Sequence, residues 1–289
     1  MGFKTAGRKG SLSFIVPVFN KLGHLRNCLL SLKHQSRLPD ELVVSDDGSE
    51  EDFVPFLETY RTTVPFPITY VRQPRQGFRA AKCRNNAARV ASGDYLVFCD
   101  QDLVLTSHYL ATFMGHRRPG RFLCADTIYL DEEQTLRLDD ATITEARFEP
   151  FISPVQTGVL AKRRRNELLY FWLRRLHLRY MGAGLRGGLF GLGASDLRKV
   201  NGFDERYRDG GDEDDDLGFR LNAVGVIGEN PFRADFALHQ FHAPNYPRGN
   251  PLLKDYYARR RREIRGGSFW CEHGLENSLG DDPLDVRTM

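Results

Sequence analysis

The order of hydrophobic and polar positions in the N-terminal part of the chain switches repeatedly between strand-like and helix-like patterns. Residues 12–19 are apolar and β-branched, and the run stops at Asn20, which is typical of a buried strand followed by a turn. Leucines then recur at helical spacing through residues 22–33, and Pro39 precedes a second apolar run at residues 41–45. The pattern predicts a β-α-β unit.

The same alternation continues to residue 99. It predicts further strands over residues 68–72 and 95–99 and helices over residues 51–60 and 78–91. Strands that alternate with helices form a parallel sheet with helices on both faces, so we predict an α/β fold. Ligands of such sheets bind beyond the carboxyl ends of the strands. Polar groups follow the predicted strands there, namely Asn20, the pair Asp46–Asp47 and the triplet Asp100–Gln101–Asp102.

The aspartates of the triplet could hold a metal ion. Asp100 and Asp102 bring hard oxygen ligands to the edge of the predicted sheet, and such ligands suit Mg²⁺ or Mn²⁺. An ion bound there would neutralise the charge on a departing nucleoside diphosphate. A turn or a helix cap is the alternative, because Asp is common at both positions.

The segment 46–49, which ends the second predicted strand, offers further acceptor oxygens. Asp46 and Asp47 could accept hydrogen bonds from a uracil base and from ribose hydroxyls, although a plain turn built by Asp and Gly is the alternative.

An acidic run over residues 212–216 follows two glycines and leads into a helical pattern at residues 217–224. A solvated face or the capping of a helix N-terminus are the ordinary explanations of such a run. Capping alone does not account for five consecutive carboxylates beside two glycines. A solvated acidic face stays the alternative to a functional role for the run.

Two histidines, His239 and His242, stand three residues apart late in the chain. Imidazole is a good ligand for manganese, whereas a surface or hydrogen-bonded role is the alternative for either residue.

Composition narrows the class of protein. With 41 basic and 38 acidic residues, the net charge of +3 gives no reason to propose nucleic acid as a partner. The five cysteines are odd in number and lack the close pairing of zinc sites or disulfide frameworks, which favours a reducing compartment. No apolar run approaches the roughly 20 residues of a membrane span, and residues 1–10 lack the apolar core of a secretory signal. We predict a cytoplasmic protein.

Four segments in order resemble the nucleotide-binding half of family 2 glycosyltransferases. They are Val16-Pro17-Val18-Phe19-Asn20, Asp46-Asp47-Gly48-Ser49, Arg84-Asn85-Asn86-Ala87 and Asp100-Gln101-Asp102. Later segments look like the C-terminal galactosyltransferase motif shared by β-1,4-galactosyltransferases and chondroitin-polymerase-type enzymes. These are Gly187-Gly188-Leu189-Phe190, Asn201-Gly202-Phe203-Asp204 and Gly211-Asp212-Glu213-Asp214-Asp215-Asp216. The resemblance spans about residues 11–247.

The resemblance implies the GT-A fold, with a Rossmann-like, mostly parallel sheet, helices on both faces and a mixed acceptor-binding half. It divides the chain into a flexible N-terminus (1–10), a nucleotide-sugar-binding half (11–125), an acceptor-binding and catalytic half (126–250) and a C-terminal extension (251–289) that is basic and then acidic. It also implies an inverting transfer of a hexose, with galactose or N-acetylgalactosamine favoured, from a UDP-sugar to a hydroxyl of a glycan or lipid-linked acceptor.

Residue roles follow from the same resemblance. The nucleotide would lie against Pro17, Asp46, Asp47, Phe78, Arg84 and Asp100. Asp102 would bind Mn²⁺ or Mg²⁺, and Asp214, paired with Glu213, would be the catalytic base. The β-1,4-galactosyltransferase pattern favours His242 as a further metal ligand, whereas the chondroitin-polymerase pattern favours His239, so both remain candidates.

Two departures from the family pattern stand out. Gln101 lies in the middle of the triplet, and Arg208–Asp209 replaces the aromatic residue that usually precedes the acidic motif, which leaves the acceptor open. A nucleotidyltransferase is an alternative, although no glycine-rich phosphate loop follows the first predicted strand. A sugar-nucleotide-binding module without catalysis is another alternative, which the intact Glu213–Asp214 pair disfavours.

A predicted helix mixes basic and bulky apolar residues. Arginines 163–165 and 174–175 flank the apolar segment 168–173. The helix either packs on the core with a solvated basic face, or contacts anionic lipid or a lipid-linked acceptor. The second reading predicts a peripheral contact with the inner face of a membrane, to which the basic run at 259–265 could contribute.

Overall fold

A computed structural model describes residues 10–181, 184–209, 211–232, 235–243 and 251–289, without the side chains of residues 251 and 252. The predicted flexible N-terminus lies outside the described residues except for Gly10, and so does Gly210 of the glycine pair before the acidic run.

The described strands and helices alternate along the N-terminal half, as the sequence pattern predicts. The strands are β1 Leu12–Val18, β2 Glu41–Asp46, β3 Ile68–Arg72, β4 Tyr95–Cys99, β5 Leu103–Val104, β6 Arg121–Cys124, β7 Thr127–Tyr129, β8 Leu189–Gly193, β9 Ile227–Glu229, β10 Ala237–His239 and β11 Asp285–Thr288. The helices are α1 Leu22–Lys33, α2 Val54–Arg61, α3 Ala80–Val90, α4 Tyr109–His116, α5 Glu132–Leu136, α6 Asp140–Thr144, α7 Pro154–Arg175, α8 Ala194–Arg198, α9 Glu213–Ala223 and α10 Pro251–Arg265. A 3-10 turn covers Glu149–Phe151.

The main sheet has the strand order β11-β3-β2-β1-β4-β8-β6-β9 among the described residues. Strands β1 to β4 are mutually parallel where they pair, which confirms the predicted α/β class. Strand β8 runs antiparallel to both β4 and β6, so the sheet becomes mixed in its second half. The C-terminal strand β11 pairs antiparallel with β3.

Both faces of the sheet are covered, which is why its strands read as continuous apolar runs. In β1, Phe14 and Val16 belong to a core cluster that includes Leu25 of α1 and Leu57 of α2. Ile15 points to the other face, into a cluster that includes residues of α3, α8 and α9. Alternate residues of one strand therefore hold two helical layers onto the sheet.

A second, three-stranded sheet of order β5-β10-β7 lies after the triplet 100–102. Strand β10 runs antiparallel to β5, with His239 opposite Leu103. A separate core cluster packs Leu238 of β10 against Val104 of β5 and Leu160 of α7. The consequence for the site is that residues near 239 lie beside residues near 102.

Three helix starts differ from the sequence pattern: α2 begins at Val54 and not at residue 51, and two further differences bear on the site. The helix predicted over residues 217–224 begins earlier, at Glu213, so four carboxylates occupy its first turn. Negative side chains are favourable there because the amide groups of a helix N-terminus carry positive partial charge. The helix predicted from residue 78 begins at Ala80, which leaves Phe78 in the preceding loop.

Within the described residues, every helix is too short or too polar to cross a bilayer.

Candidate active site

A cleft of about 1320 Å³ lies at the carboxyl ends of β1 and β4. The predicted site residues that line it are Pro17, Asp47, Phe78, Arg84, Asp100, Asp102, Glu213, Asp214, His239 and His242. The fold thus brings the predicted nucleotide, metal and catalytic residues to one cavity.

Asp46 does not line this cleft. Its side chain is fully buried, and its Oδ1 accepts hydrogen bonds from the amide and the hydroxyl of Ser49 at 2.8 and 2.6 Å. The hydroxyl of Tyr70 donates to Oδ2 at 2.6 Å. Asp46 therefore fixes the turn after β2, as the plain-turn reading of this segment expects.

Asp47 faces the cleft and is held rigidly. Gln73 Nε2 donates to its Oδ1 at 2.6 Å, and the amide of Arg79 donates to its Oδ2 at 2.8 Å. Burial raises the pKa of this carboxyl, although these two hydrogen bonds work against the rise. Arg79 is itself buried and ion-paired with Asp282, a contact between residues 203 positions apart that no local sequence signal indicated.

Gln101, the departure within the triplet, joins the ends of two strands. Its Oε1 accepts a hydrogen bond from the Phe19 amide at 3.0 Å. Its Nε2 donates to the carbonyls of Phe19 and Asn20 at 3.2 and 2.9 Å. This side chain fixes the end of β1 against the end of β4, between the two aspartates of the triplet.

Asp209, at the other departure, fixes the loop that carries Phe78. Its Oδ1 accepts a hydrogen bond from the Phe78 amide at 2.8 Å, and its own amide donates to the Phe78 carbonyl at 2.9 Å. Gly77 allows this approach, because its φ is +77° and a Cβ there would lie 2.4 Å from Asp209 Oδ1. Phe78 is thereby placed at the wall of the cleft.

Arg84, on α3, connects Asp100 after β4 to Glu213 at the start of α9. Its Nη1 donates to Glu213 Oε1 at 2.7 Å and its Nη2 to Asp100 Oδ1 at 2.9 Å. Burial opposes the charged form, but Asp100 and Glu213 outweigh it and raise the pKa of Arg84. Burial raises the pKa of Asp100 to about 6, with Arg84 working against the rise and Asp102 adding to it.

The acidic run separates into carboxylates with different partners, because successive helical residues point about 100° apart. Glu213 binds Arg84, whereas Asp215 accepts a hydrogen bond from the Tyr257 hydroxyl at 2.7 Å. Asp216 is fully buried and pairs with Arg220 at 2.6 Å. Asp212, in contrast, is exposed. A solvated face therefore does not describe the run.

Asp214 points toward the glycine pair before β8. The Gly187 amide donates to its Oδ2 at 2.7 Å, and the Asp215 amide donates to its Oδ1 at 2.8 Å. A Cβ at position 187 would lie 3.0 Å from Asp214 Oδ2 and 3.2 Å from its Cβ, so glycine allows this close approach. Burial raises the pKa of Asp214, with Arg84 and the Gly187 amide working against the rise.

Asp102, His239 and His242 form a cluster whose possible ligand atoms lie within 4.8 Å of one another. Nε2 of His242 lies 2.7 Å, and Nε2 of His239 lies 3.6 Å, from Asp102 Oδ2. Each Nδ1 lies near a backbone carbonyl, that of Gln240 at 3.0 Å and that of Ala243 at 2.8 Å, which orients both rings.

The cluster offers an ionised carboxylate as a ligand for a cation. The hydrogen bond with Asp102 raises the pKa of His242, and although burial acts to raise the pKa of Asp102, the two histidines lower it below its usual value. Asp102 Oδ1 is buried and has no hydrogen-bond partner among the described residues. An unpartnered carboxylate oxygen beside two imidazoles fits a divalent ion.

The fold explains why both histidines reach Asp102. Pairing of β10 with β5 places His239 next to the triplet, and the Gln240 amide donates to the Asp102 carbonyl at 2.9 Å. The buried Gln240 side chain turns away and accepts a hydrogen bond from Asn27 at 2.8 Å. The two family patterns left the choice between the histidines open, whereas the structure brings both beside Asp102.

A cluster of paired acidic and basic side chains reaches the cleft through Glu167 and Arg186, which line it. Asp126 is fully buried and pairs with Arg164 at 2.7 Å and with Arg186. Arg186 also pairs with Glu167. The sequence pattern did not single out this cluster, since its members lie on separate elements and only Arg164 belongs to the basic run.

The site places carboxylates and imidazoles at the carboxyl ends of strands in a mixed sheet whose first four strands are parallel. This arrangement is expected of a protein that binds a nucleotide and a divalent ion. Residues 13–161 match the family model described as glycosyl transferase family 2, and the chain belongs to this family. Residues 169–242 match a model described as the N-terminal domain of galactosyltransferase. The resemblance stated from the motifs is confirmed.

Curated relatives are longer than this chain. Validoxylamine A glucosyltransferase of Streptomyces hygroscopicus subsp. limoneus is 28% identical over 300 residues, which cover 94% of this chain and 62% of that protein. Hyaluronan synthase of Pasteurella multocida is 28% identical over 242 residues, which cover 78% of this chain and 24% of that protein. The chain therefore spans less than two thirds of either relative.

Solved structures share the fold. S. aureus TarS 1-349 in complex with UDP has a TM-score of 0.56 and 16% identity, covering 92% of this chain and 68% of that chain. The mannosyltransferase PcManGT from Pyrobaculum calidifontis, in complex with GDP-Man and Mn2+, has a TM-score of 0.54 and 18% identity, covering 81% of this chain and 58% of that chain. The predicted GT-A fold is confirmed.

Proposed function

We propose that this chain is an inverting glycosyltransferase that moves a hexose from a nucleoside-diphosphate sugar to an acceptor hydroxyl. The observation that carries the proposal is the division of one cleft into two chemical sites. The cluster of Asp102, His239 and His242 suits a metal ion, and Asp214 is a separately held carboxylate on the same cavity.

The nucleotide would bind between Pro17, Asp47 and Phe78. The two oxygens of Asp47 already accept three hydrogen bonds, from Gln73, from the Arg79 amide and from Arg75. A carboxylate has about four acceptor positions, so Asp47 retains capacity for a base N–H or a ribose hydroxyl. Asp100, held by Arg84, would lie on the ribose side.

Asp102, His239 and His242 would hold a divalent ion, which when bound supplies positive charge for the departing diphosphate. Two imidazoles in the ligand set favour Mn²⁺ over Mg²⁺, since Mg²⁺ prefers oxygen ligands.

Asp214 would accept the proton of the acceptor hydroxyl. The raised pKa of its carboxyl favours proton uptake, and its two amide hydrogen bonds fix its direction. The acceptor oxygen would attack the anomeric carbon as the bond to the diphosphate breaks, and one displacement inverts the centre. Glu213 is engaged by Arg84, so we assign it to positioning Arg84 and not to proton transfer.

The similarity of residues 169–242 to the galactosyltransferase model supports UDP-galactose or UDP-N-acetylgalactosamine as the first donors to test. The glucosyltransferase among the relatives makes UDP-glucose the next. The acceptor would be a hydroxyl of a glycan or of a lipid-linked glycan.

A panel of nucleotide sugars with Mn²⁺ tests this function by the slow release of free sugar and nucleoside diphosphate in the absence of acceptor. We expect one UDP-sugar to be hydrolysed, EDTA to stop the reaction and Mn²⁺ to restore it. Pyrophosphate release from a nucleoside triphosphate would identify a nucleotidyltransferase instead. Donor binding by calorimetry without hydrolysis or transfer to any of a panel of glycans would identify an inactive binding module.

A further inference from the structure

Three cations line the acceptor side of the cleft without an ion pair to any described residue. They are Lys162 of α7, Arg179, which follows that helix, and Arg261 of α10. Arg164 and Arg186 on this side are paired with the carboxylates of Asp126 and Glu167, and Arg163 lies 3.7 Å from Asp126. The three cations thus leave uncompensated positive charge at the cleft.

Two of these cations are held in place by aromatic rings. The guanidinium of Arg179 lies 3.8 Å from the centre of the Tyr170 ring, and that of Arg261 lies 3.7 Å from the Phe219 ring. Tyr180, the neighbour of Arg179, stacks on Phe219 with 6.0 Å between ring centres. Stacking uses the face of a guanidinium and leaves N–H groups at its edge for planar anions.

The nearby carboxylate is engaged elsewhere. Asp215 accepts a hydrogen bond from the Tyr257 hydroxyl at 2.7 Å, and Arg261 Nη1 donates to the same hydroxyl at 3.1 Å. Tyr257 therefore stands between Arg261 and Asp215, and the Arg261 side chain keeps further donors.

We propose that the acceptor carries an anionic group, a carboxylate or a phosphate, which Lys162, Arg179 and Arg261 bind while its hydroxyl faces Asp214. The proposal rests on the function proposed above and defines the acceptor class. The aromatic residue that usually precedes the acidic motif is absent, which left the acceptor open. Tyr170 and Phe219 also line the cleft and would contribute aromatic rings to the acceptor site.

Matched pairs of small acceptors test this inference in the complex of the protein with UDP and Mn²⁺. The pairs are 4-nitrophenyl β-glucuronide with 4-nitrophenyl β-glucoside, and glucose 6-phosphate with glucose. Binding is measured by saturation-transfer NMR, and UDP release from the active donor is measured with each acceptor. We expect the anionic member of at least one pair to bind about 10-fold more tightly, and its advantage to shrink as salt rises.

Matched variants locate the effect. Lys162→Ala and Arg261→Ala should each reduce the preference for the anionic member by about 2- to 3-fold, because three cations share it. Arg165→Ala on α7 and Arg262→Ala on α10 remove exposed cations that do not line the cleft, and should leave the preference unchanged. Equal effects of Arg261→Ala and Arg262→Ala would overturn the assignment, as would equal binding of charged and neutral members.

The measurements separate this inference from the proposed function. Donor hydrolysis without acceptor by the wild-type protein, combined with no anion preference, would defeat the anionic acceptor alone. Absence of hydrolysis with every donor would defeat the proposed function, whereas the NMR arm would still decide whether the three cations bind the anion. Cosedimentation with vesicles containing phosphatidylglycerol that is lost in both Lys162→Ala and Arg261→Ala would assign the cations to a lipid surface and overturn the proposal.

Discussion

The carboxylates in the first turn of α9 lie next to one another in sequence and do different things. Asp214 faces the cleft. Asp216 pairs with Arg220 in the core, where the side chains of Asp216 and Arg220 are both fully buried. We expect Asp214→Asn to lower transfer by about 10²–10⁴-fold, because the amide cannot accept the acceptor proton. Donor binding by calorimetry and the urea midpoint should stay near those of the wild type.

Asp216→Asn is the matched variant two positions away. It leaves the buried Arg220 without its charged partner, which should destabilise the protein by about 3–5 kcal/mol in urea unfolding. Near-normal transfer by Asp214→Asn, or the same defect in both variants, would contradict the assignment of Asp214 as the base.

The two histidines beside Asp102 can be separated by their effect on metal affinity. We expect His239→Ala and His242→Ala each to weaken Mn²⁺ binding, measured by electron paramagnetic resonance in the presence of UDP, by about 10-fold or more, because each removes a ligand from the cluster. A variant that binds Mn²⁺ as tightly as the wild type would identify its histidine as a neighbour of the ion and not a ligand.

At the scale of elements, the loop before β8 sets the position of Asp214. A Cβ at Gly187 would press on the Asp214 side chain, whereas a Cβ at Gly188 would meet Asp100 Oδ2 at an ordinary 3.7 Å. We expect Gly187→Ala to lower kcat by roughly 10²-fold with donor KM little changed, because small displacements of a reacting group are costly. Gly188→Ala is the control, and equal losses in both variants would show that the loop tolerates no side chain anywhere.

Elements with strong local patterns could be predicted from the sequence, and short elements could not. Strands β3 and β4 match their predicted bounds because each is a self-contained apolar run between polar segments. Strand β10 has three residues and β11 has mostly polar ones, so neither gives a period to detect. Both exist through pairing with distant strands, which no local window of sequence contains.

The same division holds for the candidate site. Aspartates at strand ends could be found from position and resemblance, because parallel strands place their carboxyl ends together. Other contacts in the site depend on side-chain directions across distant segments. They are the connection from Asp282 through Arg79 to Asp47 and the hydrogen bonds by which Gln101 joins the ends of β1 and β4. Asp46 shows the limit most clearly, since it neighbours Asp47 in sequence yet points away from the cleft.

At the scale of the whole molecule, α7 presents an exposed surface that the other described elements leave uncovered. Leu168, Leu169 and Trp172 are each 54% exposed, and Arg165 and Arg175 beside them are also exposed. Arg164, by contrast, is bound to Asp126 inside the protein, so only part of the basic run is free to meet a charged surface.

We expect the protein to cosediment with anionic vesicles at low salt and to be released as salt rises, because the attraction is screened. Trp172→Ala and the double variant Arg165→Ala with Arg175→Ala should each weaken binding, whereas Arg164→Ala should mainly lower stability. Indifference to anionic vesicles at low salt would leave α7 as a helix with a solvated outer face.

Strand β11 has a consequence for how copies of the protein behave at high concentration. It occupies the side of β3 that would otherwise present unpaired amide and carbonyl groups. Its own outward side chains are largely charged, with Arg287 and Asp285 paired at 2.7 Å. Charges on an edge strand discourage the strand-to-strand addition that starts aggregation, so β11 disfavours intermolecular β-sheet growth.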